Sequence, residues 1–228
     1  MKRYLILLLF ACATSISYSQ IHEVGFFAGG TNYIGDIGST NYINPNQFGA
    51  GLIYKYNLNP RIALRGTLLS LPIQGDDANS GNDYRENRNP APISFSNTVY
   101  EIAVGAEINF FDYDISEHDS SFTPYILVQV AAINYKTVTA FNSNNDAIYD
   151  NKASYSIPLG IGVKGRLSDH MAYAIESGIR LSFSDDLDYT TPDIDSLNIG
   201  GYGNDHYLFT GVSLVYTFGR PACYAPRE

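Results

Sequence analysis

The chain has 228 residues and a formal net charge of −9, and only 16% of its residues are charged. An acidic balance excludes nucleic acid as a partner, because its binders present basic faces to phosphate. No stretch reaches the roughly 18 apolar residues of a spanning helix, so any passage through a membrane has to be made by strands.

Residues 1–19 read as an export signal. Lys2 and Arg3 give the positive start, residues 4–13 a short apolar run, and Ser17-Tyr18-Ser19 a small-x-small cleavage site before Gln20. Leu9-Phe10-Ala11-Cys12 offers a rival reading as a lipoprotein signal, which bulky Phe10 fits poorly. Cleavage removes two positive charges and Cys12, leaving Cys223 as an unpaired thiol in an oxidising compartment. The remainder suits one domain, with no linker or internal repeat dividing it.

Strand one is expected over residues 22–34, with Val24, Phe26 and Ala28 on one face. Strand two, 48–57, sets Phe48, Ala50, Leu52, Tyr54 and Tyr56 outward and Gly49, Gly51 and Lys55 inward. Residues 57–60 make a tight turn, and strand three, 61–71, alternates Ile62, Leu64 and Leu68 against Ala63, Arg65 and Thr67. A polar loop is expected over 72–92. Strand four, 94–110, places Glu101, Ala103, Gly105, Glu107 and Asn109 inward. Strand five, 124–139, is almost continuously apolar, and Gln129 is the one guide to its inward face. A further polar loop is expected over 139–152.

The hairpin of residues 154–183 organises the rest. Leu159, Ile161, Val163 and Leu167 share one face, against Gly160, Gly162, Lys164 and Arg166 on the other. Tyr173, Ile175, Ile179, Leu181 and Phe183 likewise oppose Ala174, Glu176, Gly178 and Arg180. These strands are about twice the 5–6 residues usual in soluble sheets, and they suit membrane-crossing strands of about 9–11 tilted residues. A last polar loop covers 184–205, strand eight covers 206–218, and residues 219–228 form a periplasmic tail.

The fold class is therefore all-β: an eight-stranded antiparallel up-and-down transmembrane barrel over residues 20–218. Long connections follow the odd strands and shorter ones the even strands, as when short turns lie in the periplasm. Aromatic residues mark both ends: Tyr54, Tyr56, Phe110, Phe111, Tyr125, Tyr173, Tyr216 and Phe218 inside, with Phe95, Phe141, Tyr155, Phe183 and Tyr207 outside. Closure is forced, because an open edge in hydrocarbon leaves backbone groups without partners. Outer-membrane lipids are the expected surroundings.

The expected inward charges are Lys55, Arg65, Glu101, Glu107, Lys164, Arg166, Glu176 and Arg180. Eight strands leave room for side chains and little else, so a structural network is favoured over an ion or proton relay. Glu176 is expected to pair with a neighbouring strand, as with Lys164. Asp185, Asp186, Asp188, Asp193 and Asp195 crowd the last loop without the spacing of a calcium loop, and Arg85 and Arg88 are plausible counter-charges. Ser184, Asp205 and His206 could form a rim active site, but nothing in the sequence makes them converge. No zinc spacing, phosphate loop or nucleophile elbow is present, and no catalytic activity or cofactor is expected.

Residues 157–164, Glu176-Ser177-Gly178-Ile179-Arg180, Asp185-Asp186-Leu187-Asp188, residues 101–111 and Tyr216-Thr217-Phe218-Gly219-Arg220 resemble the PorG-type outer-membrane barrels of the Bacteroidota. The resemblance runs over essentially the whole mature chain. It implies an eight-stranded barrel, no catalytic residue, and association with the periplasmic ring of the type IX secretion machinery. Residues 112–123 and the tail, with Cys223 as a possible link to a partner thiol, are the stretches expected to meet that ring.

Overall fold

The computed structural model describes residues 21–219 apart from 40, 42, 90, 114–121, 145, 169 and 200–202. The export signal with Cys12, and the tail 220–228 with Cys223, lie outside the described residues. So does most of the connection at 112–123.

Eight strands form one closed antiparallel ring in chain order. They are β1 (Ile21–Ile34), β2 (Gln47–Asn59), β3 (Ile62–Asp76), β4 (Ser94–Asn109), β5 (Phe122–Phe141), β6 (Ala147–Ser168), β7 (Met171–Ser182) and β8 (His206–Phe218). The seam closes where β1 pairs with β8 from His22↔Phe218 to Ile34↔His206.

Period-two alternation sorts the side chains as expected. Phe26, Phe48, Leu68, Ile102, Val104, Val130, Ile161 and Val212 lie exposed on the outer wall. Phe27, Ile53, Lys55, Arg65, Glu101, Glu107, Lys164 and Glu176 are buried in the lumen. The ambiguous β5 turns Tyr125, Leu127, Gln129, Ala131 and Ile133 inward, on the side that Gln129 indicates.

Two belts bound the apolar wall. Phe48, Tyr100, Tyr155 and Phe183 are exposed near the outer end, and Tyr54, Phe110, Phe111, Tyr216 and Phe218 near the inner. Tyr100 and Phe110 lie on one outward row of the same chain segment. At about 3.3 Å per residue and a tilt of about 40°, that row spans about 25 Å, the height of the apolar band of an outer-membrane barrel. Tyr125, Phe95 and Tyr207 do not join the belts; all three point inward and are buried. Tyr125 and Tyr207 turn inward because their hydroxyls reach lumen carboxylates. Phe95 packs edge-on to Tyr33, with ring centroids 4.7 Å apart.

The strands outrun the sequence expectation on the outer side. β3 continues to Asp76, paired with β4 as far as Asp76↔Ser94, and buries Leu71 and Ile73. The polar stretch 139–152 is mostly strand: β5 and β6 pair to Phe141↔Ala147, so a five-residue turn joins a projecting hairpin. Its residues from Ile148 to Ala153 are exposed on both faces, which erases the alternation that would have marked it as strand.

The other outer connections fold into a cap. Arg85 donates to the carbonyls of Gly35 and Gly38, and Arg88 to that of Asp36. Arg88 also pairs with buried Asp77 at 2.9 Å. Both arginines therefore bind the first two outer loops together and do not serve the acidic last loop. That loop inserts Leu187, fully buried, into a cluster with Tyr33, Ile37, Leu71, Ile73, Phe95 and Tyr207.

Candidate functional site

The lumen is filled by its own side chains. Glu107, fully buried on β4, lies 2.9 Å from Lys55 Nζ of β2, 2.5 Å from Lys164 Nζ of β6 and 3.4 Å from Arg65 of β3. Arg65 also reaches across to Glu176 of β7, whose second partner is the Tyr125 hydroxyl at 2.7 Å. Glu176 thus pairs across the lumen with Arg65, and Lys164 belongs to Glu107. A direct arm spans the lumen because an eight-stranded ring is no wider than two long side chains.

Nearer the outer end, Arg180 lies 3.8 Å from Glu101, which accepts a hydrogen bond from Tyr207 at 2.8 Å. Sequence reasoning missed Glu23, which accepts from Asn57 at 2.9 Å and sits 3.9 Å from Lys55. Its alternation with Val24 and Phe26 is the signal that would have placed it inward. Arg166 departs from the set: it is half-buried at the short-turn end of the barrel and donates to the Ser168 carbonyl.

Among the buried strand residues of the lumen, Glu23, Glu101, Glu107 and Glu176 therefore face Lys55, Arg65, Lys164 and Arg180, four carboxylates against four cations, and the charge within the strands balances. Removing one partner of such a buried set costs about 3–5 kcal/mol, because it leaves an uncompensated charge where water is excluded. Aromatic rings occupy the remaining volume. Phe27 and Phe209 pack at a centroid distance of 4.4 Å, with Arg65 over the first and Arg180 over the second.

Side chains pack both ends among the described residues. At the short-turn end Tyr113 turns inward from the β4–β5 connection, is buried with Ala172 and Val215, and lies under Lys164 Nζ at 4.4 Å. At the outer mouth Tyr33 OH donates to Asp188 at 2.8 Å and also contacts Asp205, whose second oxygen accepts from the Leu187 N–H. Asp186 accepts from Tyr135 and Thr137 and pairs with Lys152 at 2.8 Å. Burial pushes the Asp205 carboxyl up to about 8, with Asp188 and Asp185 adding to the rise. Asp188 is raised for the same primary reason.

Two rim readings can be set against these contacts. In the acidic loop Asp186 is held by Tyr135, Thr137 and Lys152 and Asp188 by Tyr33 and Thr190, and among the described residues no three His, Cys, Asp or Glu side chains are grouped to hold a metal. Ser184, Asp205 and His206 are neighbours in space without forming a relay. His206 bonds the backbone carbonyl of Asp205 at 2.8 Å, while the Asp205 carboxylate is directed to Tyr33 and Leu187.

A family model described as a domain of unknown function (DUF6089) matches residues 2–227. No curated protein matches the sequence. Among solved structures, the chain is similar to a major outer membrane protein of Thermus thermophilus, at 16% identity and a TM-score of 0.46, over 88% of this chain and 100% of that one. It is similar to Ail, the attachment invasion locus protein of Yersinia pestis, at 10% identity and a TM-score of 0.46, over 88% and 99% of the two chains. Neisserial surface protein A shares 10% identity at a TM-score of 0.46, over 87% of this chain and 96% of its own.

Proposed function

The chain belongs to the DUF6089 family, and from that premise we propose that it is a non-catalytic outer-membrane barrel serving as an anchor. In this reading it docks the periplasmic ring of the type IX protein secretion machinery. One observation supports the anchor role: among the described residues the lumen is filled by a charge-balanced network and both mouths are packed with side chains, which suits a wall that holds position in lipid better than one that conducts. The secretion role rests on the resemblance of the sequence to PorG-type barrels. The docking face is assigned to residues 112–123 and the tail, with Cys223 available for a disulfide to a partner thiol.

Affinity purification from gently solubilised membranes tests the assignment. Ring subunits should co-purify with the tagged chain, and a deletion strain should lose type IX export. Export at the normal level in that strain, with no ring protein recovered, would overturn it. A structural or adhesive barrel is the second reading, and the projecting β5–β6 hairpin with the folded outer cap is what favours it.

A further inference from the structure

On the outer side the β4–β5 ladder stops well short of the ends of both strands. β4 and β5 are paired from Asn109↔Tyr125 up to Tyr100↔Asn134, and there their ladder ends. Above that rung β4 continues with β3 while β5 continues with β6, so two hairpins diverge and leave a notch. Asn97 spans it as a substitute rung. Its side-chain amide donates to the Lys136 carbonyl at 2.8 Å and to the Leu187 carbonyl at 2.9 Å, and its carbonyl oxygen accepts from Thr98 N–H at 2.8 Å. Tyr189 closes the top by donating to the Ser96 carbonyl at 2.9 Å.

The notch holds about 210 Å³, and Ser96, Thr98, Tyr100, Asn134, Lys136 and Asn151 are among the residues around it. Hydroxyls and amides of this kind serve a polyhydroxylated ligand, and the single cation serves an anion. Lys136 is exposed, and its ammonium has no anionic partner among the described residues. Lys152, the next lysine along this hairpin, is already held by Asp186. Asp150 is the adjoining acid, and strand alternation directs it to the face opposite Asn151.

Height fixes which anion can arrive. Tyr100 forms the floor of the notch and also belongs to the outer aromatic belt, with Tyr155 exposed two residues along β6 from Ala153, the partner of Asn134. Rings of this kind sit at the headgroup level of a bilayer. We propose that the notch between the β4 and β5 hairpins binds the phosphorylated sugar headgroup of an outer-leaflet glycolipid, with Lys136 on the phosphate and the flanking amides on the sugar. This rests on the outer-membrane placement and is independent of any secretion partner.

The experiment is a titration of the full mature chain, folded in uncharged detergent, with lipid A, with dephosphorylated lipid A and with inorganic phosphate. Saturable binding of lipid A is expected, at least tenfold tighter than the dephosphorylated form. Lys136→Gln should weaken lipid A binding roughly tenfold, the share of one charge-assisted contact. Lys136→Arg should retain it, and Lys152→Gln, outside the notch, should leave it unchanged. Heat-dependent gel mobility establishes that each variant is folded before it is titrated. Equal binding of the dephosphorylated lipid, equal binding by Lys136→Gln, or inorganic phosphate competing as well as lipid A would each overturn the proposal. These outcomes are read in detergent, so they stand whether or not ring subunits co-purify.

Discussion

The Tyr33 hydroxyl carries one hydrogen and faces two carboxylates, Asp188 and Asp205. Only one of them can receive it, so a proton on the pair relieves the contact, in line with the rise of Asp205 to about 8. A carboxyl raised in the folded state binds an extra proton there between its ordinary value near 4 and about 8. The outer cap is therefore firmest at the acid side of that window and loosens as pH climbs through about 8. The other groups around the pair are Asp36, Asp185 and the His206 ring, which bonds the Asp205 backbone. Backbone exchange at Leu187, corrected for intrinsic rates, should be several-fold faster relative to pH 6 once pH 9 is reached. Asp205→Asn should flatten the difference. An unchanged protection factor across that range in the unaltered protein would show that the pair does not control the cap.

At the scale of strands, the seam between β1 and β8 depends on close approach. Gly29 lies opposite Gly211 on β8 and Gly49 on β2. A Cβ at Gly29 would fall 2.2 Å from the Thr210 carbonyl oxygen and 2.3 Å from the Gly211 Cα, both backbone atoms that cannot step aside. Gly29→Val should therefore hinder closure, read as loss of the compact, heat-modifiable band on gels. Phe26→Leu, on the lipid side of the same strand, should fold normally. Most of this level was legible beforehand, because a wall with lipid on one side and packed polar atoms on the other writes its alternation into every strand. It failed where one of those environments was missing. Residues 148–153 are wet on both faces and looked like loop. Tyr125, Phe95 and Tyr207 sit on inward rows, but an aromatic near a strand end carries no sign of whether it faces lipid or a buried carboxylate. Arg65 and Glu176 are far apart in sequence, and no local pattern announces a contact across the lumen.

For the molecule as a whole, the decisive feature is that, among the described residues, side chains fill the lumen of a ring this narrow. Reconstituted in planar bilayers, the protein should give no single-channel steps above the lipid background at any salt concentration. Discrete conductance levels from the purified, folded chain would overturn the plugged-lumen description. The candidate site was only half legible at this scale. The inward charges were readable because alternation places them, whereas the cap and the notch arise from the spatial meeting of loops and diverging hairpins.

Tyr113 gives the β4–β5 connection a mechanical character. The Tyr113 backbone N–H donates to the Pro60 carbonyl at 3.1 Å, and its ring lies under Lys164, which is itself clasped by Glu107. Arg61 adds an ion pair to Asp112 one residue earlier. In the anchor reading, tension on this connection would be delivered into the barrel interior and shared by β2, β3, β4 and β6, not borne by one turn alone. Strain would then spread around a closed hoop, in which no strand has a free border from which to peel.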